Sequence, residues 1–141
     1  MDSTLLTHLL QLAALFHLGL ICAGASMPKA VGLKQNLALL SPFVRRLFLV
    51  YYAFIGLVLI GFGSLTFVFA AQMAAGEPVA RGLCLLLTAF WLLRLIAATF
   101  VFDVRPFLTN VWYKLGYQAT NVVFVYLLAL YAFTAWKGGR L

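Results

Sequence analysis

Four long apolar runs alternate with short connections rich in proline, glycine or basic residues, at about residues 4–26, 43–75, 79–102 and 111–136. Each is at least as long as the ~20 residues a helix needs to cross a hydrocarbon core of about 30 Å. Inside lipid the backbone must satisfy its own polar groups, so runs of this kind form helices. The pattern predicts an all-α polytopic membrane protein with four transmembrane helices in an up-down bundle, one domain spanning residues 1–141.

The connections refine the boundaries. Ala23-Gly24-Ala25 has the small residues of a signal cleavage site, but the start carries Asp2 and no Lys or Arg, so the first run reads as a true span. Pro28 is expected to end that helix. From there to Leu40, the polar Lys29, Lys34, Gln35 and Asn36 alternate with Val31, Leu33, Leu37 and Leu39, which suits a segment lying at the membrane surface. Ser41-Pro42 is a start signal, serine as N-cap and proline at the first helical position. The second helix is longer than a bilayer needs, so Arg45 and Arg46 are expected among the headgroups. Gly56, Gly63 and Ala70 recur every seven residues along it, a small-residue stripe where another helix packs closely. Gly76 and Pro78 make a tight turn into the third helix. Asp103 to Pro106 reads as a capped turn with a local ion pair, followed by a corner at Thr109-Asn110. Trp112, Tyr113 and Trp136 suit the aromatic belts at the two interfaces.

Composition agrees with this pattern and excludes several classes. The 141 residues are 65% hydrophobic and 9% charged, with a mean hydropathy of +1.06, whereas soluble domains average about 45–50% apolar and about 25% charged. The net charge of +7 is that of a membrane protein setting its orientation; nucleic acid is not an expected partner. Lys29, Lys34, Arg45, Arg46, Arg105 and Lys114 lie on one side, against Arg81, Lys137 and Arg140 on the other. Six against three places both basic connections in the cytoplasm and both termini outside. Compactness and the lack of eukaryotic targeting signals suggest a bacterial inner membrane, with periplasmic termini.

Candidate chemistry centres on Arg94, an arginine inside the third span, which costs roughly 2.5–3.5 kcal/mol on insertion scales. At 1.5 Å per residue, His17 of the first span, Tyr51 and Tyr52 of the second, and Gln118 and Asn121 of the fourth fall near its level. They form a candidate intramembrane ligand-binding layer. Lys114, Gln118, Asn121, Val125 and Ala129 share one face of the fourth helix, read as turned to the interior. The acids, Asp2, Glu77 and Asp103, lie away from this layer. Arg94 is thus either a structural post, hydrogen-bonded to Asn121, Gln118, tyrosine hydroxyls or carbonyls, or a counter-charge for an external anion. Trp91, one turn away, or Phe90 is expected to stack on its guanidinium. His17 reads as a core histidine or as a ligand. His8 lies on the opposite side of the first helix, so a haem held by both would need a second subunit. Cys22 and Cys84 lie in different spans without metal spacing. No nucleophile–base pair, paired carboxylate, phosphate loop or metal-ligand set is visible, and no catalytic residue is assigned.

Asn36 with Pro42 and Phe43, and Arg94 with Arg105, are set in four spans with outside termini and a basic first connection. This architecture resembles that of the membrane-associated proteins of eicosanoid and glutathione metabolism. Leu39 stands where that pattern has glutamate and Lys34 where it has arginine, so no glutathione site is carried over.

Three functions are expected from these features. The first is a non-catalytic accessory or structural subunit of a larger membrane complex, partnered by other subunits or by its own copies. The alternative is a lipid- or anion-handling membrane enzyme or carrier using Arg94 and His17. The third is haem or pigment binding through His8 or His17.

Overall fold

The computed structural model describes residues 2–102, 104, 106 and 110–139. The chain is 90% helix without strands among the described residues, and four of its helices are long and apolar enough to cross a membrane. It is an integral membrane protein. The helices are α1 (Ser3–Ala30), α2 (Leu33–Ala38), α3 (Pro42–Val68), α4 (Ala70–Ala75), α5 (Pro78–Ile96) and α6 (Val111–Gly138). The corner from Asp103 to Arg105 and Thr109 fall at least partly outside the described residues, and the ion pair expected there with them.

Proline does not end the first helix: α1 runs through Pro28 to Ala30. Proline has no N–H, so the carbonyl of Gly24, four residues earlier, loses its helical donor. The Tyr52 hydroxyl of α3 donates to that carbonyl instead. A contact between helices thus supplies the hydrogen bond that the local sequence removes. Gly32, in the left-handed region at φ 59°, then turns the chain into α2, where Leu37 is buried.

The start of α3 follows the sequence signal. Pro42 occupies the first turn, and Ser41 Oγ accepts from the Val44 N–H at a long 3.5 Å. The expected single helix to Ala75 is interrupted at Phe69, with φ −98° and ψ 15°. The flanking bonds persist, Phe69 N–H to Leu65 O at 2.9 Å and Met73 N–H to Phe69 O at 2.8 Å. The ladder is therefore loosened for one residue and then resumes. Gly76, at φ 79°, closes α4, and Pro78 opens α5.

This turn crosses the end of α6 so closely that a Cβ on Gly76 would stand 2.7 Å from Gly138 Cα. Beside it Arg81 Nε donates to the Ala135 carbonyl at 3.1 Å, one of the last four carbonyls of α6, which have no helical donor. At its far end α5 widens into a π-helical turn over Ala97–Val101, closed by Phe102 N–H to Ala97 O at 3.2 Å.

The core occupies one end of the bundle. Leu6, Leu10 and Ala13 of α1 meet Met73 and Ala74 of α4, Cys84 and Leu87 of α5, and Leu127 and Tyr131 of α6. Among the described residues, buried positions are confined to residues 6–20, 63–74, 80–91 and 124–135, with Leu37 and Ala98 as outliers. At the other end every residue from 41 to 51 is exposed, and so are most of the described positions in the last two turns of α1 and the first two of α6. The stripe on α3 divides between these ends. A Cβ on Gly63 would lie 3.0 Å from His17 Cβ and 3.3 Å from the Ala14 carbonyl, whereas one on Gly56 would meet nothing within 4 Å. Ala70, the third member, is buried.

Candidate functional site

His17 stands where α1, α3, α5 and α6 converge. Its Nδ1 lies 2.8 Å from the Ala13 carbonyl one turn back, and because a carbonyl only accepts, Nδ1 carries a proton and donates. The ring is fully buried, and Nε2 has no hydrogen-bond partner. Trp91 meets it edge-on with centroids 5.4 Å apart, and Tyr131 lies at 6.3 Å. Gly63 makes room for it from α3. Tyr131 in turn pairs its hydroxyl with Thr66 Oγ1 at 2.8 Å, so each buried hydroxyl satisfies the other across α3 and α6.

Arg94 lies one turn beyond Trp91, half-buried at the edge of the open end. Its guanidinium carbon is 4.9 Å from the centre of the Phe124 ring and 5.7 Å from that of Phe102. Trp91 and Phe90 were the rings expected there. Trp91 instead faces the core, between His17 and Phe124, at 5.4 and 5.3 Å, while Phe90 packs edge-on against Phe62 at 5.0 Å. Three residues along a helix is most of a turn, so Trp91 and Arg94 share a side, but the long arginine extends towards Phe102 at the helix end. Nη1 is buried with no acceptor among the described residues.

The Phe124 contact at 4.9 Å is well inside the limit of about 6 Å for a cation–π contact and the Phe102 contact at 5.7 Å is near it; at a half-buried site such contacts are worth about 0.5–1 kcal/mol each. Together they offset part of the roughly 2.5–3.5 kcal/mol that an arginine costs within a span. A remainder is left without a protein counter-charge among the described residues.

The candidate layer is therefore not one cluster. His17 and Arg94 are joined through two rings, Trp91 and Phe124. Gln118 is exposed and Asn121 half-buried. Tyr51 is 63% exposed, and Tyr52 is committed to Gly24 and stacked on Phe48 at 6.1 Å. The α6 face with Lys114, Gln118, Val125 and Ala129 is exposed. The buried face carries Phe124, Leu127, Leu130, Tyr131, Thr134 and Ala135, roughly 145° round the helix at 100° per residue. Large apolar side chains, with the Tyr131–Thr66 pair, took the interior in place of the amides.

His8 is exposed, with Nδ1 3.3 Å from Gln11 Oε1. Cys22 is exposed and Cys84 buried, both as free thiols. Among the described residues no three His, Cys, Asp or Glu side chains gather at metal-binding distance.

Phe124, Thr66 and Tyr131 are the contributors that sequence reasoning did not single out. Thr66 and Tyr131 carried only a weak signal, hydroxyls that need a partner in lipid, because each shares its apolar span with other hydroxyls, Ser64 in one and Tyr126 and Thr134 in the other. Phe124 carried none, being one phenylalanine among thirteen. Comparison with known protein families, curated protein sequences and solved structures finds no match.

Proposed function

We propose that the protein is a non-catalytic accessory or structural subunit of a larger membrane assembly, completed by other subunits or by copies of itself. The observation that carries this reading is the one-ended core. The four helices bury one another along only part of their length, and the first ten residues of α3 have no buried position. Such a bundle offers helix faces to neighbours instead of enclosing a reaction chamber. The free small-residue position at Gly56, with nothing within 4 Å of a Cβ placed there, supports close approach of a further helix.

An up-down arrangement accompanies this reading, supported by contact registers that run in opposite directions. Tyr52 meets Gly24 and Gly63 meets His17 between α3 and α1; Arg81 meets Ala135 and Arg94 meets Phe124 between α5 and α6. The basic bias of six against three supports termini on the periplasmic side of a bacterial inner membrane.

Native mass spectrometry after extraction in mild detergent tests the subunit reading. The expected species exceeds the 15.6 kDa chain by whole subunits. A monodisperse, cooperatively unfolding monomer in native-lipid particles, with no larger species, overturns it. A second reading, handling of a lipid or anion, is favoured by the unpartnered Nη1 of Arg94. The third, haem or pigment binding through His8 or His17, is tested by the visible absorption of the same preparation, where a featureless spectrum removes it.

A further inference from the structure

We infer that Arg94 is the binding site for one phosphate-type anion at the open end of the bundle, on present geometry the headgroup phosphate of an acidic phospholipid. The inference stands independently of the subunit reading. Arg94, half-buried as a residue, combines a buried Nη1 that has no hydrogen-bond partner among the described residues with a guanidinium set against two rings. Of the three acids in the chain, Asp2 and Glu77 begin helices, and Glu77 is seventeen residues, about 25 Å of helix, from Arg94. Asp103 lies outside the described residues.

The level also suits a lipid phosphate. Arg94 is seven residues, about 10 Å, before Val101 at the end of the π turn, and its contact with Phe102 shows the side chain extended towards that end. The guanidinium is planar, always charged and able to present paired donors, which suits a phosphate oxygen pair better than a point charge would. Phe124 and Phe102, with ring centres 4.9 and 5.7 Å from the guanidinium carbon, make its surroundings apolar, which strengthens any charge pairing made there.

The test uses the full chain in neutral detergent, with phosphatidylglycerol, phosphatidylcholine and inorganic phosphate as probes. Retained lipid is read by native mass spectrometry and the unfolding midpoint by circular dichroism. The wild type is expected to hold phosphatidylglycerol preferentially, and Arg94→Met to weaken that binding by roughly tenfold to a hundredfold. Arg45→Gln, which removes one exposed charge elsewhere, is expected to change it less than threefold. A rise in midpoint with inorganic phosphate alone, absent in Arg94→Met, would keep the anion site but assign it to a soluble anion. Equal losses in Arg94→Met and Arg45→Gln would mean diffuse attraction to a basic protein and overturn the site. Should Arg94→Met not fold, Arg94→Lys serves in its place, because it keeps the charge and loses the planar fork. A wild type indifferent to all three probes refutes the inference without any variant.

Discussion

Removing the Tyr52 hydroxyl isolates one hydrogen bond whose need is created elsewhere in the chain. Pro28 cannot donate to the Gly24 carbonyl, and Tyr52 does so from α3. Tyr52→Phe keeps the ring against Phe48, stacked at 6.1 Å, and deletes the donor alone. Hydrogen bonds between membrane helices average about 0.6 kcal/mol, with a maximum near 1.7, and a buried polar group left unpaired costs about 1–3 kcal/mol. Gly24 is half-buried and lies five residues, about 7.5 Å, from the last spanning residue of α1, Lys29, so the full penalty does not apply. The expected loss is therefore about 1 kcal/mol, measured by denaturing-detergent titration of the helical signal in mixed micelles. Pro28→Ala restores the missing N–H, so in that background the same tyrosine change should cost no more than about 0.3 kcal/mol, the scatter expected of independent sites. Equal losses in the two backgrounds would refute the link between the proline and the tyrosine.

Two further outcomes test the packing. Gly63→Ala brings a Cβ to 3.0 Å from His17 Cβ and 3.3 Å from the Ala14 carbonyl and should destabilise by about 1–3 kcal/mol through overpacking; Gly56→Ala, in open space, should be neutral or slightly stabilising in the same titration. Tyr131→Phe and Thr66→Val each strand a buried hydroxyl that is now paired at 2.8 Å and should each cost about 1–2 kcal/mol. The double substitution should cost less than the sum by at least about 0.5 kcal/mol, and simple additivity would rule out the pair as a unit.

The helices themselves were legible wherever a residue acts on its own backbone. Ser41 and Pro42 start α3, Gly76 takes the left-handed cap of α4, and Pro78 opens α5. Where a distant residue intervenes, local rules failed. Pro28 should stop a helix, and does not, because Tyr52 supplies a donor from twenty-eight positions away in sequence. Phe69 interrupts a helix with no proline or glycine beside it. The candidate site was legible in part. His17 and Arg94 announced themselves as polar groups in apolar runs, and the structure buries the first and half-buries the second. Their assumed companions did not follow: Gln118 and Tyr51 are exposed, and the rings of Trp91 and Phe124 stand in the line between them.

The sequence by itself determined the class and the number of candidate spans, because crossing the hydrocarbon core takes about 20 apolar residues and only a helix pairs its own backbone there. It also determined most helix starts and the charge bias between the two sides. Only the tertiary structure decided which face of each helix turns inward, that the core closes at one end, and that Arg94 rests on Phe124 with no acceptor at Nη1 among the described residues. The physical reason is that lipid is as apolar as a protein core. Helices that are apolar all round carry no stripe that marks the interior, so shape at Gly63 and a few paired hydroxyls settle what hydrophobic patterning cannot.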